Sequence, residues 1–419
     1  MARYHIETYG CTSNRGETQQ IERSLREGGH HPADGPEEAD VAILNTCTVL
    51  EKTEQNMLRR AEELDEATPG DLVVTGCMAL AQGEEFEQAG VDAEVLHWDD
   101  VPQHVLNGEC PTVTPDTEPV LNGVVGILPI ARGCMSDCSY CITKQATGRI
   151  DSPPVEENVE KARALVHAGA KELRITGQDT GVYGWDRNQG DSLLPELLDR
   201  ICAIDGDFRV RVGMANPKGV HGVREELAAV FAENEELYNF LHAPVQSGSD
   251  GVLADMRRQH AVEEYVEVVE TFDERLDYWT LSTDFIVGFP TEDPADHAQS
   301  MALMRETRPE KINVTRFSKR PGTDAADMKG LGGQTKKDRS KAMSELKMDL
   351  VGEAYEEMIG TERSVLLTED GREESLVGYD EAYRQVVVAD GEARGLEVGD
   401  TVDVEITSHN TVYAFGEPL

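Results

Sequence analysis

The sequence predicts an α/β chain in three parts: a doubly wound parallel α/β domain over residues 1–115, a partial (βα)6 barrel over 120–350 and a small all-β barrel over 355–419. Three observations predict it. Short apolar runs at Tyr4–Tyr9, Val41–Leu44 and Leu72–Thr75 are each followed by a polar amphipathic stretch, the pattern of buried parallel strands with returning helices. From about 120 to 317 that alternation repeats six times, two units short of a full eight-fold barrel. Beyond 355, short β-branched runs separated by glycine turns replace the helices.

The elements follow in order. Barrel strands are expected at 124–131, 172–177, 208–214, 238–244, 279–288 and 311–317. Helices are expected at Val155–Ala168, Leu193–Ile204, Val223–Ala232, Glu263–Leu276 and Pro294–Arg305. Residues 109–119 hold three prolines and read as a linker. The terminal strands are expected at Arg363–Leu367, Arg384–Ala389, Thr401–Thr407 and Thr411–Phe415.

At 419 residues the chain exceeds what one core organises. No apolar run reaches the ~20 residues that span a bilayer, and the N-terminus lacks the basic-then-apolar pattern of an export signal. A cytoplasmic protein with no membrane partner is expected. The 80 acidic against 39 basic residues give a net charge of −41, spread along the whole chain. Dispersed carboxylates of this kind suit a halophilic surface, kept soluble in high salt. A basic isoelectric point therefore cannot serve as a test for nucleic-acid binding here.

Eight cysteines, in a cytosolic setting, argue for metal or redox chemistry over a disulfide framework. Cys134, Cys138 and Cys141 form a C-x3-C-x2-C loop after the first barrel strand. Three thiolates this close can hold three corners of an iron–sulfur cubane and leave one iron open to a small molecule. A zinc site is the alternative, but it wants four ligands, and no fourth Cys or His follows nearby. Cys11, Cys47 and Cys77 match no zinc spacing, yet each ends an expected parallel strand. Parallel strands bring their carboxyl ends to one edge, so these three converge on a second open cluster. Chance placement of core thiols is the competing reading. Cys202, among Leu194, Leu197, Leu198 and Ile201, reads as a core thiol, and Cys110 has no partner at metal spacing.

The Cys134 loop, with Tyr140 directly before its last cysteine, resembles the signature of the radical S-adenosylmethionine superfamily. The whole chain resembles the methylthiotransferases. Thr8-Tyr-Gly-Cys11-x-x-Asn14, Asn45-Thr-Cys47-Thr-Val49, Gly76-Cys77-Met78, Gly177-Gln178-x4-Tyr183-Gly184, His242-Ala-Pro-Val-Gln246-Ser-Gly-Ser249 and Thr283-Asp-Phe-Ile-Val-Gly-Phe-Pro290 carry the likeness. Gly213-Met-Ala-Asn216-Pro217 and Phe317-Ser-Lys-Arg-Pro-Gly-Thr323 resemble the archaeal and eukaryotic branch, which modifies N6-threonylcarbamoyladenosine at tRNA position 37.

That resemblance implies two [4Fe-4S] clusters, S-adenosyl-L-methionine, a tRNA substrate and an electron donor such as ferredoxin or flavodoxin. The six cysteines would be catalytic as cluster ligands. Cys11, Cys47 and Cys77 would hold the auxiliary cluster that carries or donates sulfur, which one S-adenosylmethionine methylates. A second would be cleaved at the Cys134, Cys138 and Cys141 cluster, and its radical would remove hydrogen from adenine C2. Within the same class, isopentenylated adenosine or a ribosomal-protein side chain is the alternative substrate. A noncatalytic iron–sulfur RNA-binding or redox-sensing protein is the alternative class, as is a radical enzyme with an unrelated substrate.

Gly177, Gln178 and Asp179 end the second barrel strand, where the radical fold resembles a site for the methionyl amino group, or form a polar turn. Gln246 and Ser247 end the fourth strand as cofactor contacts, or belong to a helix N-cap. Gly288 either permits close approach of S-adenosylmethionine or only shapes a turn. Ala146-Thr-Gly-Arg149 departs from the Arg-Gly common in the family.

The terminal region resembles a TRAM domain, a small RNA-binding barrel. It carries 4 Arg, no Lys and 16 acidic residues over 355–419, which makes nonspecific phosphate binding by the whole barrel implausible. Residues 311–347 reverse the sign, with 10 basic against 4 acidic. Arg316, Lys319, Arg320, Lys336, Lys337 and Arg339 are therefore expected on phosphates, against the alternative of a solvated helix face.

Overall fold

The computed structural model describes residues 2–48, 51–106, 108 and 118–419. Cys110, Val49 and residues 109–117 of the expected linker lie outside them. Five parallel strands form the N-terminal sheet: β1 (Arg3–Thr8), β2 (His31–Pro32), β3 (Val41–Thr46), β4 (Asp71–Thr75) and β5 (Ala93–Val95), in the order β2-β1-β3-β4-β5. β3 is buried at every position, and its side chains alternate between two cores. Ala42 and Leu44 pack with Met57, Leu64 and Phe86; Val41 and Ile43 pack with Tyr4, Ile21 and Leu25. A strand covered on both faces reads as one continuous apolar run. In this strand order the connections leave in opposite directions at β1 and β3, which opens a crevice beyond their carboxyl ends.

Six parallel strands follow: β6 (Val125–Pro129), β7 (Glu172–Thr176), β8 (Arg209–Arg211), β9 (Phe240–His242), β10 (Thr280–Val287) and β11 (Lys311–Arg316). They lie in two three-stranded sheets, β6-β7-β8 and β9-β10-β11, bridged by Val210 and Leu237 into one arc. One core, from Leu128 through Leu197 and Phe272 to Ile312, fills the space between strands and outer helices. Cys202 is 6% exposed in that core, as the apolar stripe of its helix requires.

The chain ends in a closed barrel, β12-β13-β14-β16-β15, built from β12 (Glu362–Asp370), β13 (Leu376–Tyr379), β14 (Gln385–Val388), β15 (Thr401–His409) and β16 (Ala414–Pro418). The last strand starts three residues later than its sequence pattern suggests, because the Asn410 side chain accepts from the amides of Val412 and Tyr413 and folds 410–413 into a turn. Between the two barrels runs a 24-residue helix, Gly333–Glu356. Met343 and Leu350 enter the core of the α/β barrel, whereas Val351 and Tyr355 enter that of the C-terminal one.

Candidate active site

The first cysteine trio is held by amides. Cys11 precedes the helix Thr12–Glu27 that β1 feeds. Asn14, 1% exposed, turns back so that its Oδ1 accepts from the Cys11 amide at 3.3 Å and faces the Cys11 thiol at 3.5 Å. Its Nδ2 donates to Asn45 Oδ1 at 3.0 Å, and Asn45 Nδ2 returns a bond to the Asn14 carbonyl at 2.9 Å. This reciprocal pair ties the end of β1 to the end of β3, one on each side of the crevice. Gly10 lets them close up: its φ is +131°, and a β-carbon there would stand 3.1 Å from Cys47 Cβ. Cys77 opens towards both, its thiol feeling the charges of Cys11 and Cys47, while burial pushes its pKa well up.

The second trio lies on the loop after β6. Gly133, with φ +77°, turns the chain, and its amide donates to Gln178 Oε1 at 2.8 Å. The Ser136 amide donates to Cys134 Sγ at 3.3 Å. Arg258 reaches in from the segment after the fourth barrel strand; its Nη1 lies 3.8 Å from Cys138 Sγ and its Nη2 donates to the Pro244 carbonyl at 2.8 Å. The Tyr140 ring meets Phe289 edge-on, 6.5 Å between centroids. Burial raises the Cys134 thiol to about 11, with the neighbouring Asp179 adding to it. Asp179 is itself 2% exposed, and burial lifts its carboxyl to about 6. Its Oδ1 accepts from the Asn216 amide at 2.9 Å and the Gly181 amide at 3.2 Å, while Oδ2 is buried without a partner.

Both trios consist of free thiols. No three His, Cys, Asp or Glu side chains among the described residues are arranged to hold a single metal ion. A four-iron cluster takes one thiolate per iron, so its ligands need not converge on a point. Six free thiols grouped in two threes, with backbone and side-chain amides around them, are a donor set that fits iron–sulfur clusters. The buried, unpartnered Asp179 Oδ2 likewise fits a cationic group. The two trios face one region. The helix Gly76–Gln82, which contains Cys77, packs on the helix Thr143–Thr147 after Cys141, and the helix Thr12–Glu27 packs on β6.

The chain matches the family models "Uncharacterized protein family UPF0004" over residues 3–96, "Radical SAM superfamily" over 128–304 and "TRAM domain" over 356–419. It is 36% identical over 428 residues to the "Probable threonylcarbamoyladenosine tRNA methylthiotransferase" of Archaeoglobus fulgidus, covering 99% of this chain and 98% of the relative. It is 32% identical to the threonylcarbamoyladenosine tRNA methylthiotransferase of Drosophila melanogaster, over 99% of this chain and 77% of that one. The chain belongs to the threonylcarbamoyladenosine tRNA methylthiotransferase family. Among solved structures, the radical S-adenosylmethionine methyltransferase TsrM from Kitasatospora setae shares the fold at TM-score 0.57 and 13% identity, over 77% of this chain and 76% of that one. The radical enzyme OxsB does so at TM-score 0.53 and 10% identity, over 84% and 56%.

Within this radical S-adenosylmethionine family member, the residues expected at the strand ends make the following contacts within the protein. Gln178 uses its carbonyl oxygen on the cluster loop. Ser247 Oγ accepts from the Ser249 amide at 3.2 Å, and Ser249 caps the helix Asp250–Asp255. Gln246, at φ +74°, is 9% exposed, with its amide bonded to the Asp284 carbonyl. Gly288 does admit a close neighbour, but the neighbour is protein: a β-carbon there would lie 2.4 Å from Lys336 Cγ.

The expected phosphate set divides. Arg320 is 5% exposed and paired with Glu54. The Arg339 side chain is 11% exposed, with Nη1 2.6 Å from buried Glu292 Oε1. Lys336 lies along Gly288 and donates to the Phe317 carbonyl at 3.0 Å. A guanidinium buried against a carboxylate has no face left for phosphate, so Arg320 and Arg339 leave the set, and Lys336 is mostly engaged. Arg316, Lys319 and Lys337 are exposed, as is Arg149. Sequence reasoning passed over the roles of Asn14, Asn45, Asn216 and Arg258. The first three stand inside its own motifs, and an amide beside a cysteine at a strand end was the available signal.

Proposed function

We propose that this chain transfers a methylthio group to adenine C2 of N6-threonylcarbamoyladenosine in tRNA, with two [4Fe-4S] clusters and S-adenosylmethionine. The observation that carries it is the pair of thiol trios, each with no fourth cysteine beside it among the described residues, in a chain of this family. When bound, the clusters and S-adenosylmethionine supply the sulfur, the methyl group and the hydrogen-abstracting radical. The chain's own residues orient and exclude water. Asn14 and Asn45 hold Cys11 and Cys47 in place, and the loop of Cys134, Cys138 and Cys141 is braced by Gln178 and by Asn216, whose Nδ2 donates to Ser136 Oγ at 3.3 Å. Asp179, with Oδ2 buried and unpartnered, would hold the amino group of S-adenosylmethionine, and Arg258 would offset negative charge at Cys138.

The substrate reading draws support from the mouth's exposed cations. Arg316, Lys319 and Lys337 would meet phosphates, while the base itself is recognised by shape and stacking once flipped out. A ferredoxin or flavodoxin would deliver the electrons. The surrounding acidity suits a high-salt cytoplasm, where only the charges closest to the RNA retain influence.

The test is mass spectrometry of tRNA nucleosides from a strain deleted for this gene. Loss of methylthiolated threonylcarbamoyladenosine, with accumulation of the unmethylthiolated form, is expected. An unchanged methylthio nucleoside would remove the proposal.

A further inference from the structure

The motif Ser318-Lys-Arg320-Pro-Gly-Thr323, left without a role once Arg320 leaves the phosphate set, touches both thiol trios. At one end Arg320 Nη2 donates to the Thr48 carbonyl at 2.9 Å and to Thr48 Oγ1 at 3.0 Å, one residue past Cys47. The guanidinium pairs with Glu54, and the Thr48 hydroxyl also meets Gln82 Oε1 at 2.7 Å, on the helix that begins beside Cys77. At the other end the Ala325 amide donates to the Ser139 carbonyl at 2.8 Å, between Cys138 and Cys141. Gln145 Nε2 donates to the Gly322 carbonyl at 2.8 Å, four residues past Cys141.

The segment between these anchors is short and stiff. Thr323 folds back on the Arg320 carbonyl through its hydroxyl at 2.7 Å and its amide at 3.2 Å, and Pro321 fixes one dihedral. Gly322 sits at φ +71°, and a β-carbon there would come 2.8 Å from Gln145 Nε2. Arg257 pairs with Asp324 at 2.5 Å, holding the far anchor from the side. Five residues cannot stretch beyond ~18 Å, and a turn keeps them well inside that limit.

We infer that Ser318–Ala325 is a strap that sets the spacing of the two trios, and that Arg320 is its positioning residue. The inference rests on the two-cluster reading above. A cluster that gives a sulfur group to a substrate radical generated at the other cluster must stand at a set separation from it with the substrate between them, and a buried guanidinium that grips main chain beside Cys47 supplies such a constraint. Lysine would keep the charge but carry it on a flexible stem, without the planar, pre-organised guanidinium that fixes the donor's position.

The test uses the full chain, purified without air and reconstituted with iron and sulfide. Arg320→Lys keeps the pair's charge, and Arg320→Met with Glu54→Gln removes both charges together, so that no buried carboxylate is stranded. Three quantities are read: iron per chain, the magnetic interaction between the two reduced clusters by electron paramagnetic resonance, and methylthiolated nucleoside formed per 5′-deoxyadenosine released. In both variants iron stays at about eight per chain and S-adenosylmethionine cleavage persists. The inter-cluster interaction weakens, and product per cleavage falls, by about a hundredfold in the double variant, the usual consequence of a ~1 Å misplacement.

Unchanged interaction and unchanged product ratio in the double variant would overturn the strap. Iron falling to about four only in the variants would also overturn it, since Arg320 would then build the auxiliary site instead of spacing it. About four iron atoms in the unsubstituted chain would instead overturn the two-cluster reading, and the strap with it.

Discussion

Substituting Arg384 by methionine should loosen the C-terminal barrel from the α/β barrel. Arg384 lies at the closed end, opposite the cysteine loops, where the strands begin. Its Nε donates to Glu310 Oε2 at 2.6 Å and its Nη2 reaches Glu310 Oε1 at 2.5 Å, with side-chain exposures of 10% and 19%. The guanidinium also stacks 4.4 Å from the Tyr278 ring centroid. Around it the turn Asp380–Arg384 plugs the barrel. Tyr278 Oη donates to Asp380 Oδ2 at 2.5 Å, Tyr383 Oη meets Glu172 Oε1 at 3.3 Å and the Asn239 amide bonds the Glu381 carbonyl at 2.8 Å. Removing one partner of such a buried pair costs ~3–5 kcal/mol, because the other charge is left without compensation. Arg384→Met should lose that amount. Glu310→Gln together with Arg384→Met should recover most of it, giving a coupling energy of ~2–3 kcal/mol. Urea titration followed by tryptophan fluorescence reads it, since Trp279 is tied to Arg384 through its carbonyl at 3.5 Å. Burial also makes the cost insensitive to salt, unlike that of exposed pairs. A loss below ~1 kcal/mol, or the same loss with and without the Glu310 carboxylate, would refute the idea that this pair docks the barrel.

Two further outcomes are expected. Arg60 donates to both Glu7 oxygens, at 2.6 and 2.8 Å, and this holds the Glu7 carboxyl down to about 2 against an unfolded value of 4.5. The folded carboxyl binds its proton less readily than the unfolded one, so its stabilisation, up to ~3 kcal/mol, is present above pH 4.5 and is lost as pH falls towards 2. Glu7→Gln should flatten the acid limb of a stability–pH curve across that window, and an unaltered limb would exclude this role. Gly133→Ala would demand φ +77° of alanine and place its β-carbon 2.2 Å from the Arg149 carbonyl oxygen. The variant should lose the cluster of its own loop, leaving about four iron atoms per chain and no S-adenosylmethionine cleavage. Full iron and normal cleavage would show that the loop tolerates the methyl.

What the sequence reveals of this molecule is local. The run Val41–Thr46 reads as a buried strand because both its faces are apolar, and from parallel strands alone the convergence of Cys11, Cys47 and Cys77 follows. The roles of the cations do not follow. Arg320 and Glu54 are 266 positions apart, and Arg339 and Glu292 are 47; no charge count distinguishes a guanidinium that will be buried from one that will meet phosphate. β13 escapes for another reason. Gly378 interrupts its short run, and Glu373 and Glu374 precede it at φ +53° and +63°, in a turn that composition does not announce. The helix Gly333–Glu356 shows no single apolar stripe because its two halves serve different cores.

That helix bears on where RNA can act. Its first turns lie at the mouth, where Lys336 covers Gly288 and Arg339 pairs with Glu292, itself bonded to the Gly288 amide at 2.6 Å. Its last turns lie in the core of the C-terminal barrel, where Tyr355 Oη donates to the Val412 carbonyl at 3.0 Å. At 1.5 Å per residue its 24 residues extend ~36 Å, so its two ends, one at the mouth and one in the terminal barrel, stand well apart. The exposed cations Arg316, Lys319 and Lys337 cluster at the mouth end, and the acidic barrel occupies the other. Under the proposed function, phosphates flanking the reacting base would meet these cations first. The barrel's turn Asp380–Arg384 is built into the floor beneath β7, β9 and β11, so under the proposed function the barrel's part would be to hold the long helix, and through it the mouth, in one position.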